Sequence, residues 1–452
     1  MNNFYGVENS AEFEINKNND FYGGYLMLDA KYLRENFKEA KNNLERRKDP
    51  SIISKLDEWK ENDAQWRRLK QELDELKKAR NDITQKIKMA KGKREDTAKL
   101  LEEAKSIPQK IKEDEPKVKE LEEKNRNLLM RIPNVLHESV PYGKDDTENL
   151  EAKKWGVVKE DKSLKHHAQL ATQMNLAEFE RAVKISGTGF YYLKGELAML
   201  DLALQRVALD MLIEKGFTPI QPPLMMNRKA YEGVTDLGDF ENVMYKIEGD
   251  DLYLIATSEH PMVAMYMDEI LGEKDLEKPI MFAGMSPCFR REIGKHGLDE
   301  RGFFRVHQFN KIEQVVICKP EESWEMFEKM SRNQQELMEL LEIPYRIVNV
   351  CTGDMGIVAA KKYDLEGWSP REGKYIELGS CSNCTAYQAV RLNIKYKKKD
   401  GTKEYVHTLN NTMVPTTRTL RVIIENYQTK EGTIKIPKAL QKYMNGKTEI
   451  SV

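Results

Sequence analysis

Two runs of sequence, CFRRE at residues 288–292 and FFRVHQF at residues 303–309, decide the fold of this 452-residue chain. Arginines and a carboxylate stand among apolar residues in these runs, which predicts two strands. The polar residues between the runs predict a long hairpin loop, and a carboxylate, Glu313, follows on the second strand. Charges that recur at this spacing among apolar neighbours indicate a binding site on the sheet.

One face of this hairpin should carry the charged groups, because side chains two residues apart on a strand point the same way. Arg290 and Glu292 then share a face, and so do Arg305, His307 and Phe309. Guanidinium groups bind phosphate oxygens and an aromatic ring stacks on a base, so the pattern suits ATP. The alternative is an exposed strand pair with surface ion pairs, which poorly explains the Phe and Val neighbours. His307 is interpreted as a hydrogen-bonded strand residue in preference to a catalytic base.

The second half of the chain is predicted to be an α+β domain built on an antiparallel sheet that helices flank. Helical and strand-like runs are mixed there without a βαβ repeat. Neither Gly-x-Gly-x-x-Gly nor Gly-x-x-x-x-Gly-Lys-Ser/Thr occurs, so both common nucleotide-binding fingerprints are absent. The predicted helices span 196–215 and 321–341, and predicted strands span 252–256, 305–309, 312–317 and 345–350.

The N-terminal part has the sequence pattern of a helical hairpin. Seam residues alternate at spacings of three and four, which is the heptad period of a coiled coil. The pattern breaks at Lys91–Lys93 and then resumes, so two antiparallel helices are predicted, with a shorter helix at 30–47 before them. Pro108 and Pro116 should bend the second helix. The seam comprises Trp59, Asn62, Trp66, Leu69, Leu73, Leu76, Arg80, Ile83 and Ile87, then Leu100, Ala104, Ile107, Ile111, Asp114, Val118, Leu121, Asn125, Leu128 and Ile132.

Charge is distributed unevenly along this hairpin. The whole chain has 73 Lys and Arg against 74 Asp and Glu, a net charge of −1 that excludes a uniformly basic nucleic-acid binder. Residues 77–94, however, contain eight cations and one acid, Asp82. A solvated helix face would explain such a run, and so would contact with a phosphate backbone. The cations are Lys77, Lys78, Arg80, Lys86, Lys88, Lys91, Lys93 and Arg94.

Four segments are expected from these changes in composition. Residues 1–26 are expected to form a disordered extension, 27–132 the helical domain with its arm, 133–155 a linker, and 156–452 the α+β domain. Five cysteines in a long chain argue against a disulfide framework. No stretch reaches about 18 uncharged apolar residues, so no transmembrane helix is expected and a cytoplasmic protein is the simplest interpretation.

The residues described so far resemble a known family. The 288–309 hairpin resembles motif 2 of class II aminoacyl-tRNA synthetases, and the chain from about Met27 resembles the seryl-tRNA synthetases, including their N-terminal arm. The resemblance covers over 90% of the chain. Further matches are Gly216–Leu224 (GFTPIQPPL) to motif 1, Thr257-Ser258-Glu259, CTGDMG at 351–356, KYDLE at 362–366, ELGSCSNC at 377–384, and Leu409–Gln428 to motif 3.

The resemblance implies a reaction and a set of site residues. Serine and ATP would give seryl-adenylate and pyrophosphate, and serine would then pass to tRNA(Ser), and to tRNA(Sec) where it exists. Catalysis would rest on Arg290, Arg418 and Glu377, with Mg²⁺ on Glu377 and Ser380. The implied ATP contacts are Arg290, Arg291, Glu292, Arg305, Val306, Phe309, Glu377, Leu378, Gly379, Ser380 and Arg418; the serine contacts are Thr257, Ser258, Glu259, Arg290, Glu313 and Thr412; the tRNA contacts are the eight arm cations, with Lys295, His296 and Arg301 of the motif 2 loop as further candidates.

The resemblance also implies a homodimer formed through motif 1. Three other functions are possible. A paralogue that loads a carrier protein would lack the long arm, and a non-enzymatic coiled-coil protein should lack Arg290, Arg418 or Glu377. Another amino-acid specificity within class II is the third, against which Thr257, Glu259 and Glu313 argue. The CxxC at Cys381 and Cys384 is half of a possible zinc site, for which the sequence supplies no obvious second pair.

Overall fold

The computed structural model describes residues 29–94, 96–236, 243–292 and 302–451. The predicted extension at 1–26 lies outside these ranges. Helices in the described part are α1 (Ala30–Glu35), α2 (Phe37–Glu45), α3 (Pro50–Lys93), α4 (Ala98–Leu129), α5 (His167–Gln173), α6 (Glu180–Ser186), α7 (Gly195–Glu214), α8 (Arg228–Glu232), α9 (Glu259–Ala264), α10 (Ser323–Leu340), α11 (Tyr387–Leu392), α12 (Thr416–Tyr427) and α13 (Lys438–Gln441).

An eight-stranded sheet forms the centre of the C-terminal part, in the order β1-β10-β11-β12-β15-β9-β8-β4. Every neighbouring pair is antiparallel except β4 and β8, which confirms the predicted α+β class. The strands are β1 (Leu150–Trp155), β2 (Ala177–Glu178), β3 (Tyr192–Leu193), β4 (Thr218–Ile220), β5 (Met225–Met226), β6 (Tyr253–Leu254), β7 (Ile270–Leu271), β8 (Ile280–Phe289), β9 (Gln308–Cys318), β10 (Tyr345–Asn349), β11 (Lys361–Ser369), β12 (Lys374–Asn383), β13 (Lys395–Lys397), β14 (Lys403–Tyr405), β15 (His407–Pro415), β16 (Ile434–Lys435) and β17 (Glu449–Ile450).

Both faces of the sheet are covered, as the alternation along β9 shows. Ile312 and Val316 pack into the larger core cluster, which also contains residues of α7, α10 and α12. Val315 and Ile317 pack into the second cluster, which includes α9 and α11 residues. Successive strand residues point to opposite faces, so a strand with apolar residues at both parities must have cover on both sides. The centre of the sheet is therefore a rigid platform.

Helices α3 and α4 form the predicted antiparallel hairpin. At about 1.5 Å per residue, the 44-residue α3 is about 66 Å long. Asp49 caps it by accepting from the Ser51 amide at 2.9 Å, with Pro50 at the first helical position. Along the seam, Asn62 Nδ2 donates to Asn125 Oδ1 at 2.8 Å, a buried pair that fixes the register of the two helices.

Two local predictions for the helical part need correction. The expected break at Lys91–Lys93 lies slightly later, because α3 continues to Lys93 and Arg94 adopts the left-handed conformation with φ +57°. The single helix expected at 30–47 is two helices, interrupted at Asn36 (φ −125°). Pro108 and Pro116 both lie inside helix α4, which runs from Ala98 to Leu129, and the bends expected there stay a prediction.

Arginines join the base of the arm to the C-terminal part of the chain by donating hydrogen bonds to main-chain carbonyls. Arg46 Nη2 donates to the Val140 carbonyl at 2.8 Å, and Arg47 Nη1 to that of Met355 at 2.9 Å. Arg391 of α11 donates to the Leu129 carbonyl at the end of α4, also at 2.8 Å. The segment predicted as a linker lies between the two parts, and its last six residues form the edge strand β1. No helix in the described ranges is long and apolar enough to cross a membrane.

Candidate active site

A cavity of about 380 Å³ opens on the part of the sheet formed by β9, β12 and β15. Of the residues that the sequence assigned to ATP, all but Arg291 and Arg305 line this cavity, and of those assigned to serine, all but Ser258 do. The structure thus brings together side chains from six separate stretches of chain. The predicted site residues in its wall are Thr257, Glu259, Arg290, Glu292, Val306, Phe309, Glu313, Glu377, Leu378, Gly379, Ser380, Thr412 and Arg418.

The motif 2 hairpin reaches the cavity by a different backbone path from the one that the sequence pattern predicted. Strand β8 ends at Phe289 and β9 begins at Gln308, so the charged residues lie just beyond the strands. The Arg290 amide still donates to the His307 carbonyl at 2.9 Å. Glu292, however, has φ +43°, so the period-two argument that placed it beside Arg290 was wrong. Both side chains line the cavity because the backbone turns there.

Arg290 and Phe309 face one another across the hairpin. The guanidinium carbon of Arg290 lies 5.3 Å from the Phe309 ring centroid, and its Nε donates to the Ala256 carbonyl at 3.3 Å. Glu292 Oε2 lies 3.2 Å from Nη1 of Arg305, which is mostly buried. These contacts hold two guanidinium groups in fixed orientations beside an aromatic ring. Such an arrangement can bind phosphate oxygens and a flat heterocycle together.

Arg418 and Glu377 form an ion pair on the opposite wall. Arg418 is on α12 and Glu377 on β12, and Nη1 lies 3.2 Å from the carboxylate Oε2. Burial alone would raise the pKa of Glu377, but the charges of Arg418 and Lys362 outweigh it, and the pKa lies below its usual value. Glu377 is therefore an ionised acceptor at neutral pH.

Oxygen atoms suited to Mg²⁺ lie beside this pair. Ser380 Oγ is 3.5 Å from Glu377 Oε1. Asp364 lies opposite Ser380 in the β11–β12 ladder, and its buried Oδ1 has no hydrogen-bond partner among the described residues. Mg²⁺ is usually bound by one or two carboxylates together with substrate phosphates, so this donor set fits the ion when a nucleotide supplies the remaining oxygens. No cluster of three or more His, Cys, Asp or Glu that could hold a metal by itself occurs in the described ranges.

The residues assigned to serine surround a buried ammonium group that sequence reasoning missed. Lys311 Nζ donates to Thr257 Oγ1 at 2.8 Å and forms an ion pair with Glu313. Thr412 Oγ1 donates to Glu313 Oε2 at 3.3 Å, since the two residues are register partners on β15 and β9. Alternation along β9 places Lys311 on the same face as Phe309 and Glu313, so a signal for it was available in the sequence.

Glu259 is the second carboxylate of this pocket. Its Oε1 accepts from Gln388 Nε2 at 2.9 Å, a contact that the sequence did not predict. Burial raises the pKa of Glu259, and the negative charge of Glu313 raises it further, to about 7. His260, the next residue, is buried, and that burial lowers its pKa to about 3, so it stays neutral. The pocket therefore combines the Glu313 carboxylate, the Lys311 ammonium group that pairs with it, and the Glu259 carboxylate, whose pKa lies near neutrality.

Three predicted contacts lie away from the cavity wall. Ser258 is completely buried before α9, and a Cβ at Gly284 would lie 2.7 Å from its Oγ, so it packs against β8. Arg291 is exposed, and its amide donates to the Val243 carbonyl at 2.9 Å. Arg305 does not line the wall, and its guanidinium group forms an ion pair with Glu292, which does. The motif 2 loop residues Lys295, His296 and Arg301 lie outside the described ranges.

His307 and the CxxC cysteines occupy packed surroundings. His307 Nδ1 lies 2.6 Å from Tyr245 Oη and 2.9 Å from the Arg290 carbonyl oxygen, and its ring stacks on Phe190 at 5.1 Å. Cys381 and Cys384 are buried free thiols, and burial raises the pKa of both. These are the surroundings of structural residues.

At the arm tip, seven of the eight predicted tRNA contacts are exposed; Lys77 is half-buried. Lys77 Nζ lies 2.8 Å from Glu115 of the returning helix. Glu102 and Glu103 are exposed on the same helix. The arm therefore carries more negative charge beside its cations than a count over residues 77–94 indicates.

Comparison with known proteins matches both parts of the chain. Residues 243–427 match the family model of the tRNA synthetase class II core domain (G, H, P, S and T), which defines the class of the catalytic part. Residues 27–136 match that of the seryl-tRNA synthetase N-terminal domain. The serine–tRNA ligase of Methanocella arvoryzae is 54% identical over 423 residues, covering 93% of this chain and 99% of the relative. This chain belongs to the seryl-tRNA synthetase family.

Solved structures agree with this assignment. The crystal structure of seryl-tRNA synthetase from Pyrococcus horikoshii complexed with ATP superposes with a TM-score of 0.88 at 46% identity, covering 94% of this chain and 99% of that one. The cytoplasmic serine–tRNA ligase from Naegleria fowleri, in complex with AMP, gives a TM-score of 0.82 at 36% identity, covering 95% and 99%.

Proposed function

We propose that this protein is a serine–tRNA ligase that activates L-serine with ATP and transfers it to tRNA(Ser). The observation that carries the proposal is the single cavity that joins Arg290, Arg418 and Glu377 to the pocket of Glu259 and Glu313. In the first step the serine carboxylate attacks the α-phosphorus of ATP and pyrophosphate leaves. In the second step the terminal tRNA adenosine attacks the seryl-adenylate carbonyl, and AMP leaves.

Positioning and charge neutralisation would supply most of the rate, because the attacking carboxylate is already ionised. Arg290 would hold the α-phosphate and the serine carboxylate, with Phe309 stacked on the adenine. Arg418 would hold the γ-phosphate, and Arg305 the β- and γ-phosphates. The remaining proposed contacts with ATP are Arg291, Glu292, Val306, Leu378 and Gly379.

Mg²⁺ is proposed to bind beside Glu377 and Ser380. The ion would neutralise phosphate charge as pyrophosphate departs. Glu377 contributes an ionised carboxylate that Arg418 already orients at 3.2 Å, and Ser380 contributes a hydroxyl. Asp364 would support this arrangement from the neighbouring strand.

The amino-acid pocket is suited to serine. Glu259 and Glu313 would accept from the serine ammonium and hydroxyl groups, and Thr257 and Thr412 would complete the pocket, with Ser258 supporting it from behind. A pocket that hydrogen-bonds a hydroxyl rejects alanine, because its buried polar groups would be left unpaired.

We further propose that the arm binds tRNA, that two chains form a dimer, and that the protein acts in the cytoplasm. The exposed cations of the tip support the first proposal, since they can neutralise backbone phosphates. Exposed apolar side chains on α7, including Leu202 at 58%, support a partner on that face. Charging of tRNA(Sec), where that tRNA exists, belongs to the same proposal. The proposed division is 1–26, 27–132, 133–155 and 156–452.

Serine-dependent ATP–pyrophosphate exchange by the purified protein tests the activity. Exchange with serine, and charging of tRNA(Ser), is expected; exchange with threonine or alanine in place of serine would refute the specificity. Addition of a metal chelator should abolish exchange, and Mg²⁺ should restore it.

Replacing Lys86, Lys88, Lys91 and Lys93 with Ala tests the arm. Exchange should be unchanged, charging should weaken, and the salt dependence of tRNA binding should become shallower. Substitution of four exposed lysines on the catalytic part provides the matched control. Undiminished charging at low tRNA concentration would refute the proposed role of the arm.

A further inference from the structure

A buried polar cluster adjoins the cavity without lining it. It comprises His167, Ser369, Glu372, Arg421 and Glu425, which come from α5, β11, the turn after β11, and α12. His167 and Ser369 are fully buried, and Arg421 and Glu425 are each 1% exposed. Burying this many polar groups costs free energy unless they are paired with one another, and none of them has a role in the reaction described above.

Glu425 is the centre of the cluster. Arg421 Nε donates to its Oε1 at 3.2 Å, and the Ser369 hydroxyl donates to Oε2. Arg421 also forms an ion pair with Glu372. Burial opposes ionisation of Glu425, but the hydrogen bond from His167, the charge of Arg421 and the hydrogen bond from Ser369 outweigh it and lower the pKa of Glu425 to about 2. Glu425 is therefore an ionised carboxylate, which can only accept hydrogen bonds.

An ionised Glu425 determines which nitrogen of His167 carries the proton. The Nδ1 atom lies 3.4 Å from Glu425 Oε1, so Nδ1 is the donor of that contact. Nε2 then carries no proton, and its lone pair accepts a hydrogen bond from the Phe303 amide at 3.2 Å. These two residues are 136 positions apart in the sequence. The imidazole thus links α12 to the backbone of the returning half of motif 2.

The residues after Phe303 connect this link to the nucleotide site. Phe304 lines the cavity, and its ring centroid lies 5.0 Å from the guanidinium carbon of Arg418 and 4.9 Å from that of Arg421. Arg305 follows directly. The Phe303 amide is therefore the backbone group through which the segment carrying Phe304 and Arg305 is hydrogen-bonded to the buried cluster.

We propose that His167 is a positioning residue for the ATP site. By accepting from the Phe303 amide it holds Phe304 against the α12 arginines and places Arg305 for the phosphates. The proposal rests on the ATP-dependent function proposed above and deepens it. It assigns a role to a histidine that lies outside the three synthetase motifs.

Two substitutions of His167 separate its two contacts. His167→Gln can keep an acceptor where Nε2 stands, whereas His167→Asn can keep the contact with Glu425 but is too short to reach the Phe303 amide. Serine-dependent exchange should show the KM for ATP raised about fivefold to tenfold in His167→Asn, and changed less than about twofold in His167→Gln. The KM for serine should stay within about twofold in both variants, since the serine contacts are elsewhere.

The adjacent His166 supplies the matched control. It caps α5 by accepting from the Ala168 amide at 3.3 Å, and Asn is an equally good cap, so His166→Asn should leave both KM values unchanged. Thermal melting of every variant checks folding. If His167→Asn does not fold, Gly302→Ala is the second perturbation, because its Cβ would lie 2.5 Å from His167 Nε2. Gly302→Ala should likewise raise the KM for ATP with the KM for serine unchanged.

Hydrogen–deuterium exchange at the Phe303 amide gives a readout that is independent of activity. Faster exchange is expected in His167→Asn than in the wild type or in His167→Gln. An unchanged KM for ATP in His167→Asn, or equal damage in the Asn and Gln variants, overturns the proposal. A wild type without serine-dependent exchange activity refutes the proposed function instead, and the amide exchange rates still test the hydrogen bond.

Discussion

Lowering the pH below neutrality should weaken serine binding, because Glu259 must be ionised to accept the serine ammonium group. Burial and the nearby charge of Glu313 raise the pKa of Glu259 to about 7. Arriving serine brings a positive charge, which favours the ionised carboxylate. Below the pKa, binding must therefore be accompanied by release of a proton, and its affinity falls with each unit of pH.

The size of the effect follows from the ionised fraction. With a pKa of about 7, about half of the Glu259 carboxyls are ionised at pH 7 and about one in eleven at pH 6, so the KM for serine should rise about fivefold between them. The neighbouring imidazole does not interfere, since burial lowers the pKa of His260 to about 3. The assay is pyrophosphate exchange, with the KM for serine measured between about pH 5.5 and about pH 7.5.

Glu259→Gln is the control for this prediction. The amide can still accept from Gln388, but it carries no charge to titrate, so its KM for serine should be higher and independent of pH over the same range. A flat KM in the wild type would refute the argument. So would a wild-type slope that persists unchanged in Glu259→Gln, because another group would then be titrating.

Three further predictions concern buried contacts. Lys311→Met leaves Glu313 buried without its ion-pair partner and should lower the free energy of unfolding by about 3–5 kcal/mol in urea titrations; a loss under about 1 kcal/mol would contradict the pairing. Arg391→Gln removes the contact with the end of α4 and should reduce tRNA charging while exchange persists, so equal loss of both would contradict a role at the arm base. Asn62→Leu should cost about 1–3 kcal/mol because it leaves Asn125 unsatisfied, and the double Asn62→Leu, Asn125→Leu variant should recover stability by thermal melting; no recovery would contradict the paired amides.

The sequence predictions were accurate where the structure depends on residues close together along the chain, and failed where it depends on residues far apart. The arm was predictable because a heptad seam depends on spacings of three and four within each helix. The α+β class was predictable because helical and strand-like runs are local patterns, and their order along the chain shows no βαβ repeat. Glu292 shows the limit of local reasoning, because its φ of +43° interrupts the strand period at the point where the chain turns into the cavity.

The residues of the candidate site likewise divide into those that could be predicted from the sequence and those that could not. The ATP and serine contacts could be named from the resemblance, and all of them except Ser258, Arg291 and Arg305 line one cavity. Lys311 could have been found from its parity with Glu313 on β9. Gln388 could not, because its contact with Glu259 spans 129 positions and no local pattern marks it.

The sequence by itself determined the periodicity of the helices and strands, the motifs that the chain shares with its family, and the kinds of side chain available to the site. Only the tertiary structure decided which distant groups meet. It showed that Glu115 neutralises Lys77 at the arm, that Lys311 holds Glu313, and that His167 accepts from Phe303 across 136 positions. The physical reason is that periodicity arises from the repeating geometry of one chain segment, whereas these contacts depend on how separate segments pack around a shared core.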